Sequence, residues 1–384
     1  MDLDSKNSEN IGNWLRLRYA DGVGPKIFSR LLENLNGVDN VLGASVHQLT
    51  KIKGIGEKTA EQILRTLKNF NVDRELALAE KLGVSIINFE DSRYPLALKK
   101  IYDPPPFLYV KGTITRQDSL AISIVGSRRC SLYGQEQASR FAHALANAGF
   151  TIVSGMAKGI DSAAHRGALA ARGRTFAVQG CGLCNIFPKE NTELFASISE
   201  NGACLSEFPM EYEPLAENFP SRNRIIAGIS TAVLVIEASE NSGSLITAKS
   251  ALENNREVMA IPGKIDSPLS QGSHTLIKQG AKLVDCVEDI MEALGYIGQG
   301  LKQHAIESEH QSVRAVDKAN PHANELKLSP HEKTVYECLN DQGNHIEDII
   351  ADSNLEAGQI NASLISLRLK GLIKQHPGNI FARL

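Results

Sequence analysis

The sequence predicts an α/β protein with a mostly parallel, doubly wound sheet at its centre, an all-α segment before it and a small helix-and-hairpin unit after it. Three observations predict this. Between residues 119 and 285, short apolar runs alternate with helical patterns, as strands joined by crossover helices must. Ahead of that stretch, residues 12 to 70 carry helical periodicity with almost no strand signal. Behind it, a polar stretch without aromatic residues, 298 to 328, separates a last segment with its own apolar pattern.

The chain has 384 residues, more than one typical domain needs, with 42% hydrophobic and 22% charged residues, the balance of an ordinary soluble protein. Its net charge is -3, so a polyanion would have to be held by a local cluster of cations rather than by the protein's overall field. The polar start, Met1 to Asn10, lacks the basic and apolar regions of a signal peptide, and no apolar run approaches the ~20 residues that span a bilayer. Six scattered cysteines do not make a disulfide scaffold, and a reducing cytoplasm is expected, with no membrane partner. Cys181 and Cys184 form a lone CxxC without the second ligand pair of a structural zinc site, so the expectation is small buried residues and no metal.

Within the helical segment, assigned to residues 1–72, two turns stand out: Gly22-Val23-Gly24-Pro25 and Gly54-Ile55-Gly56. Each opens an amphipathic pattern, as the halves of a helix-hairpin-helix (SAM-like) module do, where backbone N–H groups at a helix start meet a DNA phosphate. A compact bundle whose glycines only close turns is the other reading. Residues 73–118 supply a helix, a strand at 84–89 and, after the proline triplet 104–106, a second extended run at 107–110. They are attached to the central domain, taken as 73–297.

That domain has runs at Leu120–Val125, Thr151–Val153, Thr175–Val178, Ala203–Glu207, Ala232–Glu237, Glu257–Ile261 and Lys282–Val284. In an open parallel sheet, ligands bind beyond the carboxyl ends of strands at a switch point. Polar and small residues fall at those ends: Gly126, Ser127 and Arg128 after the first run; Ser154, Gly155 and Lys158 after the second; Lys189 and Asn191 after the third. Arg222, Asn223 and Arg224 follow the fourth, and Ser242, Gly243 and Ser244 the fifth. Small residues admit a phosphate to the backbone, and Arg128, Lys189, Arg222 and Arg224 are expected to complete an anion cradle.

Taken together, Gly126-Ser127-Arg128, the run from Ser154-Gly155 to Ala164-His165, Phe219-Pro220-Ser221-Arg222-Asn223-Arg224, Ser242-Gly243-Ser244 and Pro262-Gly263 closely resemble the DNA-processing protein A (DprA/Smf) family over about residues 80 to 290. The resemblance implies an extended Rossmann domain that dimerises and binds single-stranded DNA during natural transformation, protecting the incoming strand and handing it to a RecA-type recombinase. It further implies that Arg128 and Lys189 line the DNA pocket. No cofactor is implied. Cys181 and Cys184 stand where the resemblance would place small polar or acidic residues.

A flexible linker is expected over 298–327, where His304, His310 and His322 read as solvated residues. A winged helix is expected over 328–384, with a helix starting at Ser329-Pro330, two more helices and a hairpin turning at Pro377-Gly378-Asn379. Seven acidic residues against five basic ones from 330 to 384, with Arg368 and Lys370 alone on the recognition helix, leave both protein contact and DNA contact open for it.

Single residues carry paired readings. Asp161 caps its helix or faces the ligand. His165 touches a phosphate or is a hydrogen-bonded core histidine. Glu237 is a catalytic base or orients the arginine cluster by an ion pair. Aromatic residues make up only 5% of the chain, so phosphate recognition rather than base stacking is expected to dominate. The leading function is a non-enzymatic single-strand binder. Its rival is a nucleotide-binding hydrolase of the phosphoribohydrolase type, which would carry a Pro-Gly-Gly loop where this chain has Ser242-Gly243-Ser244. A dinucleotide oxidoreductase is a weaker third, since Arg128 blocks the approach that a Gly-x-Gly-x-x-Gly turn keeps open.

Overall fold

The computed structural model describes residues 3–295 and most of 329–383, in two compact units, Met1–His304 and Ala305–Leu384. The first contains a nine-stranded sheet in the order β1-β2-β6-β5-β4-β3-β7-β8-β9. Its strands are β1 (Val84–Asn88), β2 (Phe107–Gly112), β3 (Ala121–Val125), β4 (Thr151–Ser154), β5 (Thr175–Val178), β6 (Gly202–Ser206), β7 (Ala232–Val235), β8 (Glu257–Ala260) and β9 (Lys282–Leu283). The pairings from β6 to β9 are all parallel; β1 and β2 pair antiparallel and extend the sheet beyond β6. The chain leaves β3 toward β4, β5 and β6, then returns to the other side of β3 as β7. The switch point therefore lies at the carboxyl end of β3.

Both faces of the sheet are covered, which is why its strands read as unbroken apolar runs. Ile122 and Ile124 of β3, Leu234 of β7 and Met259 of β8 pack with Phe141, Leu145 and Ala164. Those last three lie on α8 (Leu132–Asn147) and α9 (Ile160–Ala170). Their neighbours in the alternation, Val125, Val233, Val235 and Val258, pack with Ile225, Ile226 and Ala248 on the opposite face. Those side chains come from α11 (Asn218–Ile229) and α12 (Gly243–Glu253). The polar interruption in β3, Ser123, is fully buried and satisfied, donating to Ile226 O and sharing a hydrogen bond with Ser230 Oγ.

The N-terminal module packs α1 (Leu3–Arg18), α2 (Pro25–Leu35), α3 (Val38–Leu42), α4 (Val46–Thr50), α5 (Glu57–Thr66) and α6 (Val72–Lys81) ahead of β1, and the short α7 (Leu96–Lys99) stands between β1 and β2. Gly24 and Gly56 stand at the N-caps of α2 and α5; Gly22 (φ 85°) and Gly54 (φ 95°) take the left-handed conformation that turns the chain into them. Val23 and Ile55, between the paired glycines, are buried, and Arg30 of α2 donates to Lys53 O across the two turns. The core of this module is continuous with the α/β domain. Trp14, Leu15, Phe28, Leu31 and Ile63 share one buried cluster with Phe107, Tyr109, Leu183, Leu194, Cys204 and Met210.

The second unit has a helix Pro330–Glu337, a helix Ile346–Ser353 and a three-stranded antiparallel sheet in the order β10 (Asn344–His345), β12 (Ile380–Arg383), β11 (Ile373–His376). Ser329 caps the first helix in a capping box with Glu332, as Ser329-Pro330 predicts. Val335, Leu339, Ile349, Ile360, Leu364 and Leu367 form its core. The 298–327 stretch with its three histidines, Arg368, Lys370 and the Pro377-Gly378-Asn379 turn lie outside the described residues. No helix among the described residues is long and apolar enough to cross a membrane.

Candidate nucleic-acid interface at the switch point

The turn after β3 is built by close packing of backbone on backbone. Ser127 N donates to Glu237 O at 2.7 Å and Ile160 N to Ser127 O at 3.3 Å, tying together the loops that follow β3, β7 and β4. A Cβ on Gly126 would lie 2.6 Å from Ile160 Cγ1, and one on Gly159, whose φ is 80°, 2.5 Å from Ser127 O. Glycine is required at both places for the loops to meet. Ser154 ends β4 with its hydroxyl donating to Ile124 O, fully buried. The small residues singled out in the sequence thus build the crevice wall, and Ser127 and Arg128 are what it presents.

The four cations expected in a cradle divide into two kinds. Arg128 and Lys189 are exposed and, among the described residues, have no ion-pair partner. Arg222 is turned inward, 3% exposed, with Nη1 donating to Gly155 O and Val178 O. Burial pushes its pKa down to about 10, against the attraction of nearby Asp161. Arg224 is held bidentate by Glu207 at 2.6 and 2.7 Å and donates to Asp103 O. Both are scaffold cations, because carbonyls hold Arg222 Nη1 and a carboxylate and carbonyls hold Arg224 inside the fold, while the buried Arg222 Nε is left without a partner. Gly155 belongs to the same arrangement, since a Cβ there would lie 2.5 Å from the Arg222 guanidinium.

The remaining candidates take supporting places. Asn191 is buried and donates to Met156 O and Ser162 Oγ, which fixes the short 3-10 turn Lys189–Asn191 leading into α10 (Thr192–Asn201). Lys158 pairs with Glu190 at 2.6 Å, both side chains largely exposed, an arrangement of little energetic weight. Ser242 caps α12 and shares a hydrogen bond with Ser244 Oγ; Gly243 is exposed at the helix start, and Asn223 donates to Gly243 O.

Two aromatic rings lie beside Arg128, and the sequence alone gives neither of them a role at the interface. Phe187 and Phe219 lie with centroids 5.4 Å apart, and the Arg128 guanidinium sits over Phe219 at 5.1 Å. Phe187 is 38% exposed and two residues from Lys189. A low overall aromatic content hid them; their positions inside the segments that carry Lys189 and Arg222 were the available signal.

Three paired readings resolve. Glu237 pairs with no arginine among the described residues: its two carboxylate oxygens accept from Ser131 N (2.9 Å) and Ser131 Oγ (2.6 Å) at the start of α8. Asp161 does not cap α9 but accepts from Ala157 N in the preceding loop, and burial raises its pKa. His165 is a core histidine, fully buried, with Nδ1 2.7 Å from Thr175 Oγ1. Thr175 donates its own proton to Ile152 O, so Nδ1 carries the imidazole proton. Cys181 is also in the core, its thiol donating to Asn185 O and its pKa pushed up to about 11 by burial.

With this geometry the chain can be compared with known proteins. The family model described as DNA recombination-mediator protein A matches residues 85–295, a SAM-like helix-hairpin-helix tandem matches 16–69, and a DprA winged helix domain matches 319–379. Protein Smf of Synechocystis is 34% identical over 98% of this chain and 99% of its own length. Protein Smf of Escherichia coli is 40% identical over 80% of each. The X-ray structure of DprA from Streptococcus pneumoniae is similar with a TM-score of 0.65 at 36% identity, covering 73% of this chain and 97% of that one. A Helicobacter pylori DprA structure, described for its single-stranded DNA binding mode, has a TM-score of 0.50 at 29% identity, covering 55% and 95%. The ordered glycine turns, the inward Arg222 and the outward Arg128 and Lys189 thus stand in a chain that belongs to the DprA/Smf family of DNA recombination-mediator proteins.

Proposed function

We propose that the chain binds single-stranded DNA by its phosphates at the face formed by Ser127, Arg128 and Lys189, as a non-enzymatic recombination mediator. The observation that carries this is that Arg128 and Lys189 are exposed with no ion-pair partner among the described residues, Arg128 lying over Phe219, which packs against Phe187 two residues before Lys189. Phosphates meet the cations, and the half-exposed Phe187 ring offers a base a flat apolar surface. The Helicobacter pylori relative, described for its single-strand binding, supports the choice of strand. In the cytoplasm, a homodimer formed through the Rossmann domain would protect the incoming strand during natural transformation and load a RecA-type recombinase. Residues 1–72, 73–297 and 328–384 act in this scheme as helical, strand-binding and winged-helix domains, with 298–327 between the last two.

Arg128→Ala and Lys189→Ala are each expected to weaken binding of a labelled oligonucleotide at least about tenfold at moderate salt and to flatten its salt dependence, with unchanged circular dichroism. If both bind as the parent does, the assignment fails. Against the hydrolase reading stands the engagement of Glu237 with Ser131 at the start of α8. Release of free base from nucleoside monophosphates would restore it.

A further inference from the structure

The helical module reaches the candidate interface through two hydrogen-bonded segments. Glu75 of α6 is 8% exposed, and its Oε1 accepts from Met210 N at 2.7 Å. Met210 O in turn accepts from Cys184 N, and Tyr212 O from Gly182 N, both at 2.9 Å. Asn185 Nδ2 donates to Glu211 O at 2.8 Å and to Tyr212 O at 3.1 Å. Segment 181–187 is therefore stitched along 209–212, and 209–212 is anchored on α6.

Packing follows the same path. Leu183 and Met210 are buried in the module's own core cluster, and Cys184 and Ile186 pack against it. A Cβ on Gly182 would collide with Pro209 O and Met210 O, so the two segments are in backbone contact and one cannot shift without the other. The segment ends at Phe187, and Lys189 follows two residues on.

We propose that Glu75 is a positioning residue for the strand-binding face. By accepting the Met210 N–H it fixes segment 209–212, and through it the 181–189 loop that carries Phe187 and Lys189. The inference rests on the reading of Arg128 and Lys189 as the single-strand site. It makes α6, the helix that joins residues 1–72 to the sheet, part of the binding apparatus without any contact between that helix and DNA. It also gives the CxxC loop a role: Cys184 belongs to the packed side of a loop whose other end faces the ligand.

The test is a double-mutant cycle on the full-length chain with a fluorescent oligo(dT), each variant checked by thermal melting. Glu75→Ala leaves the buried Met210 N–H without its acceptor and is expected to weaken binding about tenfold. Glu75→Gln keeps an acceptor oxygen and is expected to stay within about twofold of the parent. On a Phe187→Ala/Lys189→Ala background, Glu75→Ala should add less than about twofold, because the groups it positions are gone. Asn185→Ala, which cuts the same path from the loop side, should show the same dependence on Phe187 and Lys189 and replaces Glu75→Ala if that variant does not fold. Parent-like binding, or an equal loss on both backgrounds, overturns the proposal. Parent-like binding by Lys189→Ala and Arg128→Ala themselves instead overturns the reading beneath it, so the two failures are told apart.

Discussion

Arg128 and Arg222 come from one crevice and have opposite physics. Arg128 is exposed over Phe219, so its removal costs the fold little and the ligand much. Arg222 is buried with its donors on Gly155 O and Val178 O, so Arg222→Met leaves two buried carbonyls without partners. It is expected to destabilise the protein by roughly 2–4 kcal/mol, read as a lower midpoint of urea unfolding. His165 adds a pH dependence. Burial, with Arg222 and Arg166 nearby, lowers its pKa from 6.5 to about 3, and Nε2 has no hydrogen-bond partner to accept a second proton's bond. Between those values the unfolded chain binds a proton the folded one does not, so stability falls as pH drops from about 6.5 toward 3. A His165→Gln variant, compared with the parent by thermal melting across that range, is expected to lose this part of the acid sensitivity. Both assignments needed coordinates. The sequence places Arg128, Arg222 and His165 in segments that follow strands of the sheet and is silent on which way a side chain turns.

At the scale of elements, the strands were legible because alternating faces are both buried and each run is bounded by glycine or polar turns. The nine-strand sheet contains every run read from the sequence, and the helix-hairpin-helix turns begin α2 and α5 at the expected glycines. The start of α8 was not legible. Its cap is Ser131, and the carboxylate that holds Ser131 comes from Glu237, 106 residues away. Glu237→Ala is expected to destabilise the protein by about 1–3 kcal/mol, with lost protection of the first α8 amides in hydrogen exchange. Glu237→Gln should be milder, since one oxygen still accepts. In the helical module, Gly54→Ala forces a side chain onto a φ of 95° and brings a Cβ within 2.9 Å of the Arg30 guanidinium. A loss of about 1–2 kcal/mol is expected by calorimetry, strain and displaced Arg30–Lys53 contact together.

For the molecule as a whole, the continuous core between the helical module and the α/β domain decides how the chain can be cut. Removing residues 1–72 uncovers Phe107, Tyr109, Leu194 and Met210, all buried in the shared cluster. A 73–304 fragment is therefore expected to aggregate or melt well below the 1–304 fragment, while 1–304 is expected to melt cooperatively, each followed by circular dichroism. The sequence by itself determined the class, the strand count and order along the chain, the turn glycines and the family. All of these rest on local periodicity and on residue types that only certain turns admit. Only the tertiary structure decided which arginines face outward, that Phe187 and Phe219 meet beside Arg128, and that the helical module's core runs into the sheet. Those depend on contacts between segments far apart in the chain, and a side chain's direction at such a meeting is set by packing and buried hydrogen bonds rather than by its neighbours in sequence.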